Sequence, residues 1–473
     1  MVFSSNVFLF LFLPVFLIIY YLLPFKGRSA WILIGSYALY AWWRLDFLWL
    51  LVAITGVAYL YGLILEKQPD GSRRRWTLIS AIVLNLGALA YFKYANFGID
   101  SFNAVTQSFG LQPFSWTPIL LPIGLSFFIF HAISYIVDVY RREEKATHNP
   151  LDFAAFIALF PHLIAGPVLK YNLLADQFRS RTHTMEKFSY GATRFMTGFA
   201  KKVLIADSIA PLVTASFNQP DPTMADAWLG ALAYTLQLYF DFSGYSDMAI
   251  GLAAMMGFKF PENFNHPYIS RSITEFWRRW HMSLSSWLRE YLYISLGGNR
   301  HGRARTYLNL WLTMVLGGLW HGANWTFVLW GVWHGSILAV ERRMKEASLW
   351  KPSPAWLTIP GTMILVIIGW VMFRADSVPD ALRMYGGMLG LNGVGLSDTL
   401  AWQVKPSVLV SMVLGGLLVY LAPYWGSRVG DVGSRLLRPR LAVGATVVLL
   451  PLFVLAIMKL SAQSYTPFLY FQF

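Results

Sequence analysis

Cysteine is absent from all 473 residues of this sequence. Its absence excludes disulfide bonds, metal sites with cysteine ligands and catalysis through a cysteine nucleophile.

Charged residues are scarce as well, at 13% of the chain against about 25% in soluble globular proteins. Hydrophobic residues make up 56%, and the mean hydropathy is +0.48. A soluble globular domain is therefore excluded, and lipid must be the solvent for most of the chain. We expect one all-α polytopic membrane domain over residues 1–473, with about 11 to 13 membrane helices.

Sequence motifs of several soluble enzyme classes are also missing. The chain has no G-x-x-x-x-G-K-[ST] phosphate-binding loop and no H-E-x-x-H zinc motif. The stretch FDFSGYS resembles a nucleophile elbow only loosely, because Asp241 stands where G-x-S-x-G requires glycine. P-loop, zincin and serine-hydrolase chemistry are disfavoured, and no metal site is expected.

The basic excess, a net charge of +14, lies in short clusters between apolar runs. A positive net charge of this size could indicate nucleic-acid binding. Short basic clusters between apolar runs are instead typical of cytoplasmic loops in membrane proteins, so no nucleic-acid partner is expected. Basic clusters follow the first, third and fifth apolar runs, at residues 26–28, 67–75 and 141–145. The positive-inside rule then predicts a multi-pass protein with its N-terminus outside the cytoplasm.

Apolar runs long enough to cross the bilayer recur along the chain, and the first lacks the flanks of a cleaved signal peptide. Their bounds are Val7–Leu23, Ala30–Trp43, Phe47–Leu65, Trp76–Phe92, Phe114–Tyr140, Ala227–Phe258, Tyr307–Trp320, Trp325–Val340, Trp356–Phe373, Val408–Leu421 and Leu441–Leu460. Between them, the prolines and glycine of Leu159–Tyr171 predict a broken or re-entrant helix. Arginines alternate with aromatic residues in Glu262–Arg305, which favours helices lying at the membrane interface.

Most titratable residues at apparent membrane depth lie between Asp241 and His334, which indicates a functional site there. On one continuous helix, His321, Asn324 and Trp325 would share a face, with Trp320 and Trp325 walling an apolar slot. His334 would lie roughly 220° around the same helix from His321. A structural histidine that bonds to a neighbouring helix is the alternative.

Two further groups of residues are candidates for substrate binding. Arg278 and Arg279 suit a phosphorylated donor, because guanidinium groups bind phosphate through a planar fork of donors, although a positive-inside interfacial helix explains them equally well. Asp241, Ser243, Tyr245 and Asp247 form the second group. A proton or cation relay and simple bonding between helices are both alternatives for these four.

Five motifs, in order, resemble the membrane-bound O-acyltransferase family, most closely its bacterial polysaccharide-modifying branch. They are LLPIGLSFFIFHAISYIVDVYR, FPHLIAGPVLKY, YFDFSGYSDMAIGLAAMMGFKFPENFNHPY, SITEFWRRWHMSLSSWLREYLYISLGGNR and GGLWHGANWTFVLWGVWHG. The likeness covers about residues 1–374 and is weaker over the C-terminal helices, 375–473. It implies peripheral helices around a thinner centre, with a funnel or tunnel near the essential histidine.

By the same resemblance, His321 is the catalytic histidine, and His281 is a second polar residue that orients or hydrogen-bonds substrate. The resemblance implies transfer of acetyl groups from a cytoplasmic donor, acetyl-CoA, across the bacterial inner membrane for O-acetylation of an exopolysaccharide, alginate first. It also implies periplasmic acetyltransferase partners and no tightly bound cofactor. Cellulose or another envelope polymer is an alternative, as are a transporter or flippase of an activated acyl group and a noncatalytic scaffold.

Overall fold

The computed structural model describes residues 3–349, 353–429 and 439–462. These residues form helices joined by turns and irregular segments, without any β-strand, which confirms an all-α membrane fold. Four helices in the described ranges are long and apolar enough to cross a bilayer: Leu45–Lys67, Ser72–Ser108, Ala355–Arg374 and Pro406–Pro423. The count of about 11 to 13 membrane helices stays a prediction.

The chain divides into two compact units. The first comprises Met1–Thr184 with Met256–Phe260, and the second comprises Met185–Met255 with Pro261–Phe473. The helices of the first unit are α1 (Leu13–Leu22), α2 (Phe25–Ala41), α3 (Leu45–Lys67), α4 (Ser72–Leu89), α5 (Ala95–Ser108), α6 (Leu125–Arg141), α7 (Pro150–Ala158), α8 (Phe160–Leu163) and α9 (Tyr171–Arg179). A π-helical segment, Phe8–Phe12, precedes α1, and another, Ala90–Tyr94, joins α4 to α5.

The second unit contains most of the candidate site residues. Its helices are α10 (Met185–Ala200), α11 (Asp207–Phe217), α12 (Met224–Met255), α13 (Ile273–Arg279), α14 (Met282–Trp287), α15 (Gly302–His321), α16 (Trp325–Glu346), α17 (Ala355–Arg374), α18 (Val378–Met388), α19 (Asp398–Ala401), α20 (Pro406–Val429) and α21 (Pro439–Ala462). The π-helical segment Lys201–Ala206 joins α10 to α11, and the π-helical segment Leu288–Tyr293 continues α14.

The predicted apolar run Phe114–Tyr140 is wrong in its first half, because residues 111–122 form no helix. Pro113, Pro118 and Pro122 explain the difference, since each removes a backbone donor and restricts the residue before it. The helix α6 begins at Leu125, after the last of these prolines.

The predicted break in Leu159–Tyr171 is confirmed. The helix α7 stops at Ala158, Leu159 has non-helical torsion angles (φ −54°, ψ 106°), and α8 is a single turn. The residues from Leu159 to Leu169 are buried, so this irregular backbone is enclosed by protein.

Close backbone packing holds the helices of the second unit together. A Cβ on Gly198 would collide with the backbone of α12, and a Cβ on Gly318 would collide with the carbonyl of Phe327 on α16. Glycine therefore lets α10 approach α12, and α15 approach α16, at backbone distance. The antiparallel pair α15 and α16 carries the candidate catalytic histidine.

Candidate active site

The helix that carries His321 ends at that residue. Gly322 is extended (φ −157°, ψ 148°), and the side chain of Asn324 caps the next helix by accepting a hydrogen bond from the Thr326 amide at 3.0 Å. The prediction of one helical face shared by His321, Asn324 and Trp325 is therefore wrong. A Cβ at Gly322 would collide with the ring of Phe327, so this glycine allows α16 to fold back directly after the break.

Asn324 and Trp325, two predicted substrate-binding residues, lie at this turn and do not line the cavity described below. The Asn324 amide donates a hydrogen bond to the carbonyl of Asp376 at 2.8 Å, which ties the turn to the end of α17. Trp325 is 53% exposed. Their role in binding substrate stays a prediction.

His321 lines a cavity of about 300 Å³. Its side chain is buried among aromatic rings, with ring centroids 5.0 Å from Trp320, 5.3 Å from Trp330 and 5.2 Å from Phe373. His334 contrasts with it, since it is fully buried against Trp277, Trp330 and other rings and does not line the cavity. Of the two histidines in this motif, His321 is the one open to a small molecule.

The cavity extends from His321 along α15 toward the basic ends of α15 and α16. The α15 residues that line it follow helical spacing from Leu310 through Met314 and Gly317 to His321, a length of about 16 Å. Trp277, Leu284 and Leu288 add apolar walls from α13, α14 and the π-helical segment. Besides His321, the lining includes the polar side chains of Ser285, Arg289, Tyr293, Asn299, Thr313 and Arg342.

His281 lies in the tight turn between α13 and α14. Its backbone is left-handed (φ 44°, ψ 54°), and its Nδ1 accepts a hydrogen bond from the Leu284 amide at 3.3 Å. Because Nδ1 is an acceptor, the neutral ring carries its proton on Nε2. Burial lowers the pKa of His281 to about 3, so the ring is neutral at physiological pH and presents Nε2–H as a donor.

Asn263, in the irregular segment between α12 and α13, fixes this turn. Its side-chain oxygen accepts hydrogen bonds from the Ser283 hydroxyl at 2.9 Å and the Ser283 amide at 3.3 Å, and its carbonyl accepts from the Met282 amide at 2.9 Å. Its amide nitrogen donates to the Ser246 hydroxyl on α12 at 2.9 Å. Asn263 is itself buried, so the position of His281 is held by bonds shielded from water.

His281 and His321 are brought together although forty positions separate them. Their ring centroids are 6.5 Å apart with an interplanar angle of 72°, and the ring of Trp320 lies 6.3 Å from that of His281. Phe242 contacts His281 from α12 at a centroid distance of 4.7 Å. A neutral donor and a cavity-lining imidazole thus lie side by side in an aromatic enclosure.

Comparison with known proteins identifies a family whose matched region contains both histidines. A model of the membrane-bound O-acyltransferase family, MBOAT, matches residues 139–376, a range that contains both. The chain belongs to this family. It is a membrane O-acyltransferase.

Relatives of this O-acyltransferase differ in what their names say they modify. The chain is 53% identical to "Probable alginate O-acetylase AlgI" of Azotobacter vinelandii, with both chains covered in full. It is 36% identical to the peptidoglycan O-acetyltransferase of Helicobacter pylori, over 84% of this chain and 81% of the relative. It is 29% identical to the teichoic acid D-alanyltransferase of Bacillus subtilis, over 62% of this chain and 82% of the relative.

Arg278 and Arg279 lie at the end of α13, outside the lining of the O-acyltransferase cavity. Arg278 is exposed, whereas Arg279 pairs with Glu275 at 2.7 Å and donates to the carbonyl of Asn265. Their predicted contact with a phosphorylated donor stays a prediction.

The four predicted substrate-binding residues of α12 are buried, and none lines the cavity. Asp241 pairs with Lys202 at 2.6 Å, and Asp247 pairs with Arg194 at 2.7 Å and with Lys201 at 2.6 Å. Ser243 and Tyr245 are buried on the same helix. The two aspartates thus fix α12 to the end of α10 and the π-helical segment, while direct contact with substrate stays a prediction.

The two arginines of the cavity were not anticipated from the sequence. Arg289 and Arg342 are separated by more than fifty positions, and each belongs to a basic cluster that positive-inside topology already explains. Only the packing of α15 against both α16 and the π-helical segment reveals that the two arginines line one space.

Proposed function

We propose that this O-acyltransferase takes an acetyl group from cytoplasmic acetyl-CoA and passes it across the bacterial inner membrane for O-acetylation of an exopolysaccharide. Alginate is the proposed polymer, because relatives named as probable alginate O-acetylases match the chain over its full length at 53% identity. Cellulose or another envelope polymer is the alternative acceptor for the same chemistry.

The observation that carries the proposal is the cavity leading to His321. A thioester donor needs a narrow apolar passage for its arm and basic groups at the outer end for its phosphates. Arg289 and Arg342 lie at the end of the cavity remote from His321, and basic residues cluster beside them at 300–305 and 342–345. The positive-inside rule assigns this end to the cytoplasm, where acetyl-CoA is available.

In the proposed reaction, His321 accepts the proton of an acceptor hydroxyl while the hydroxyl oxygen attacks the thioester carbonyl. The resulting tetrahedral oxyanion collapses, the carbon–sulfur bond breaks, and the new carbon–oxygen bond remains as the acetyl ester. The proton held by His321 then passes to the departing thiolate. Imidazole suits this exchange because its unperturbed pKa of about 6.5 is close to working pH.

His281 acts as a hydrogen-bond donor in this scheme. Its Nδ1 is occupied by the Leu284 amide, so it is not available as a base through that atom. Nε2–H is the group that orients the acceptor or stabilises the oxyanion. This assignment agrees with the resemblance-based expectation that His281 orients substrate.

The acetyl group reaches the polymer through partner proteins in this proposal. The acceptor approaches His321 from the extracytoplasmic side, and a periplasmic acetyltransferase completes delivery, so that the polymer need not enter the cavity. The same positive-inside argument that places the donor end in the cytoplasm places the N-terminus outside it.

The test is acetyl transfer by the purified full-length protein in lipid nanodiscs, with labelled acetyl-CoA and a short alginate oligosaccharide, with and without the candidate periplasmic partner. His321→Ala should abolish labelled product while protein yield is unchanged, and His148→Ala, which changes an exposed histidine outside the cavity lining, should retain activity. Product formation by His321→Ala would reject the catalytic role. Labelled flux into vesicles without a covalent product would favour a transporter, and a silent His321→Ala in cells would favour a scaffold.

A further inference from the structure

A hydrogen-bonded cluster in the first unit centres on Tyr20, at the end of α1. The Tyr20 side chain is fully buried, and its hydroxyl donates to the carbonyl of Met256 at 2.7 Å. The same oxygen accepts two hydrogen bonds from the guanidinium of Arg181, at 2.9 and 3.2 Å. Arg181 is thereby held in one orientation by neutral groups.

Arg28 joins the same cluster from the first turns of α2. Its guanidinium donates to Nδ1 of His183 at 2.9 Å, and Nε2 of His183 lies 2.9 Å from the Tyr20 hydroxyl. Because Nδ1 accepts from an arginine, a neutral ring carries its proton on Nε2 and donates to Tyr20. The guanidinium of Arg181 therefore bonds directly to the buried Tyr20 hydroxyl, and that of Arg28 is linked to it through the neutral ring of His183.

Among the residues that the structure describes, no ion pair balances the charge of these two arginines. In the described part of the chain, neither Arg28 nor Arg181 lies within salt-bridge distance of a carboxylate, whereas Arg74 and Arg142 of the same unit share Asp70 at 2.8 and 3.1 Å. Rigidly held guanidinium groups without carboxylate partners favour binding of an anion, above all of phosphate oxygens.

Apolar and aromatic side chains surround this charge. The guanidinium carbon of Arg181 lies 4.2 Å from the ring centroid of Phe258 and 5.0 Å from that of Phe25. Next to the arginines, Leu22 is 79% exposed, and Tyr21 and Phe25 are also exposed. Exposed apolar groups beside fixed cations suit a ligand with a phosphate head and acyl chains, and soluble phosphate would make no use of them.

We propose that Arg28 and Arg181 form a binding site for the phosphate headgroup of an anionic phospholipid, with the lipid chains against Leu22 and Tyr21. The site lies after the first apolar run, on the side that the positive-inside rule makes cytoplasmic, where anionic lipids attract basic groups. It involves no residue of the candidate active site, so it stands apart from the proposed acetyl transfer.

The test is thermal unfolding of the full-length protein in detergent, with added phosphatidylglycerol or phosphatidylcholine. Phosphatidylglycerol should raise the Tm of the wild type by several degrees more than phosphatidylcholine does. The double variant Arg28→Gln plus Arg181→Gln should lose this difference. Arg73→Gln plus Arg75→Gln, which removes the same two charges from exposed positions on α4, should retain it.

Because Arg181 makes several packing contacts, Arg28→Gln alone is a second variant, and it should lose at least half of the lipid-dependent difference. Equal differences in all variants would overturn the proposal. Stabilisation of the wild type by inorganic phosphate to the same extent as by phosphatidylglycerol would assign the site to soluble anions and would also overturn it.

Discussion

The rings of His281 and His321 lie 6.5 Å apart at an angle of 72°, and only His321 lines the cavity. His281 is instead fixed in a left-handed turn, with Nδ1 bonded to the Leu284 amide. The two imidazoles thus have different chemical environments, and different substitutions should distinguish them.

At position 281, asparagine should replace histidine better than alanine does. An asparagine side chain offers an oxygen to accept from the Leu284 amide and an N–H group to donate, and asparagine tolerates the left-handed conformation. We expect His281→Asn to retain measurable acetyl transfer and His281→Ala to lose about tenfold more activity. Initial rates at saturating donor, with protein yield as the control, measure this. Equal rates for the two variants would contradict the donor role.

Gly317 lines the cavity on α15, one helical turn before His321. A Cβ at this position would lie 3.2 Å from Leu288, so even a small side chain requires a slight shift of Leu288, and a large one must fill the cavity. Gly317→Leu should therefore lower acetyl transfer roughly tenfold or more, without a matching loss of stability. Gly87→Leu, on an open face of α4, serves as the control. Full activity of Gly317→Leu would show that the donor does not use this passage.

The arginines at the cavity end should affect donor binding more than turnover. Arg289 is largely exposed, and Arg342 pairs with Glu346 at 2.9 Å, so contacts of either with phosphate are partly screened. Replacing both with glutamine should raise the KM for acetyl-CoA roughly five- to tenfold and change kcat little.

The matched comparison for this pair is Arg278→Ala plus Arg279→Ala, which tests the expectation drawn from the sequence. If substitution of Arg278 and Arg279 raises the KM for acetyl-CoA more than substitution of Arg289 and Arg342 does, the donor phosphates bind at the end of α13. Donor-concentration series at two salt concentrations distinguish the two pairs, because electrostatic contacts weaken with ionic strength.

The buried ion cluster around Lys202 should govern stability. Its Nζ lies 2.6 Å from carboxylate oxygens of both Asp207 and Asp241, and all three residues are buried. Lys202→Met leaves two buried carboxylates without their cation and should cost about 3 to 5 kcal/mol, whereas Lys405→Met, an exposed lysine, should be neutral. Thermal unfolding in detergent measures both changes.

Neutralising the whole cluster provides the complementary measurement. Lys202→Met combined with Asp207→Asn and Asp241→Asn should recover much of the lost stability, because no unpaired charge remains. A triple variant that is stable yet fails in acetyl transfer would assign Asp241 a direct role, as the transporter and substrate-binding alternatives require.

Hydropathy and helical spacing were sufficient to predict most helices, including α3, α12 and α15 through α17. They failed at Phe114–Tyr140, where three prolines override an apolar run, and at Gly322, where a helix that looks continuous folds back. In both places a local breaker outweighs the average character of the segment. The order of the motifs was enough to predict the family.

The site was predictable only in part. His321 and His281 were singled out from residue type and motif, but their proximity depends on how the turn between α13 and α14 lies against the end of α15. Arg289 and Arg342 carried no signal of their own, because basic residues at helix ends are expected in any membrane protein.

Composition and motif alone determined that this is an all-α membrane protein with a histidine suited to acyl transfer, because lipid solubility and residue chemistry are properties of short segments. Tertiary structure decided which histidine meets a cavity, which presents a donor, and which arginines lie along the passage. Those relations join residues forty or more positions apart, and only the crossing and backbone approach of packed helices brings them together.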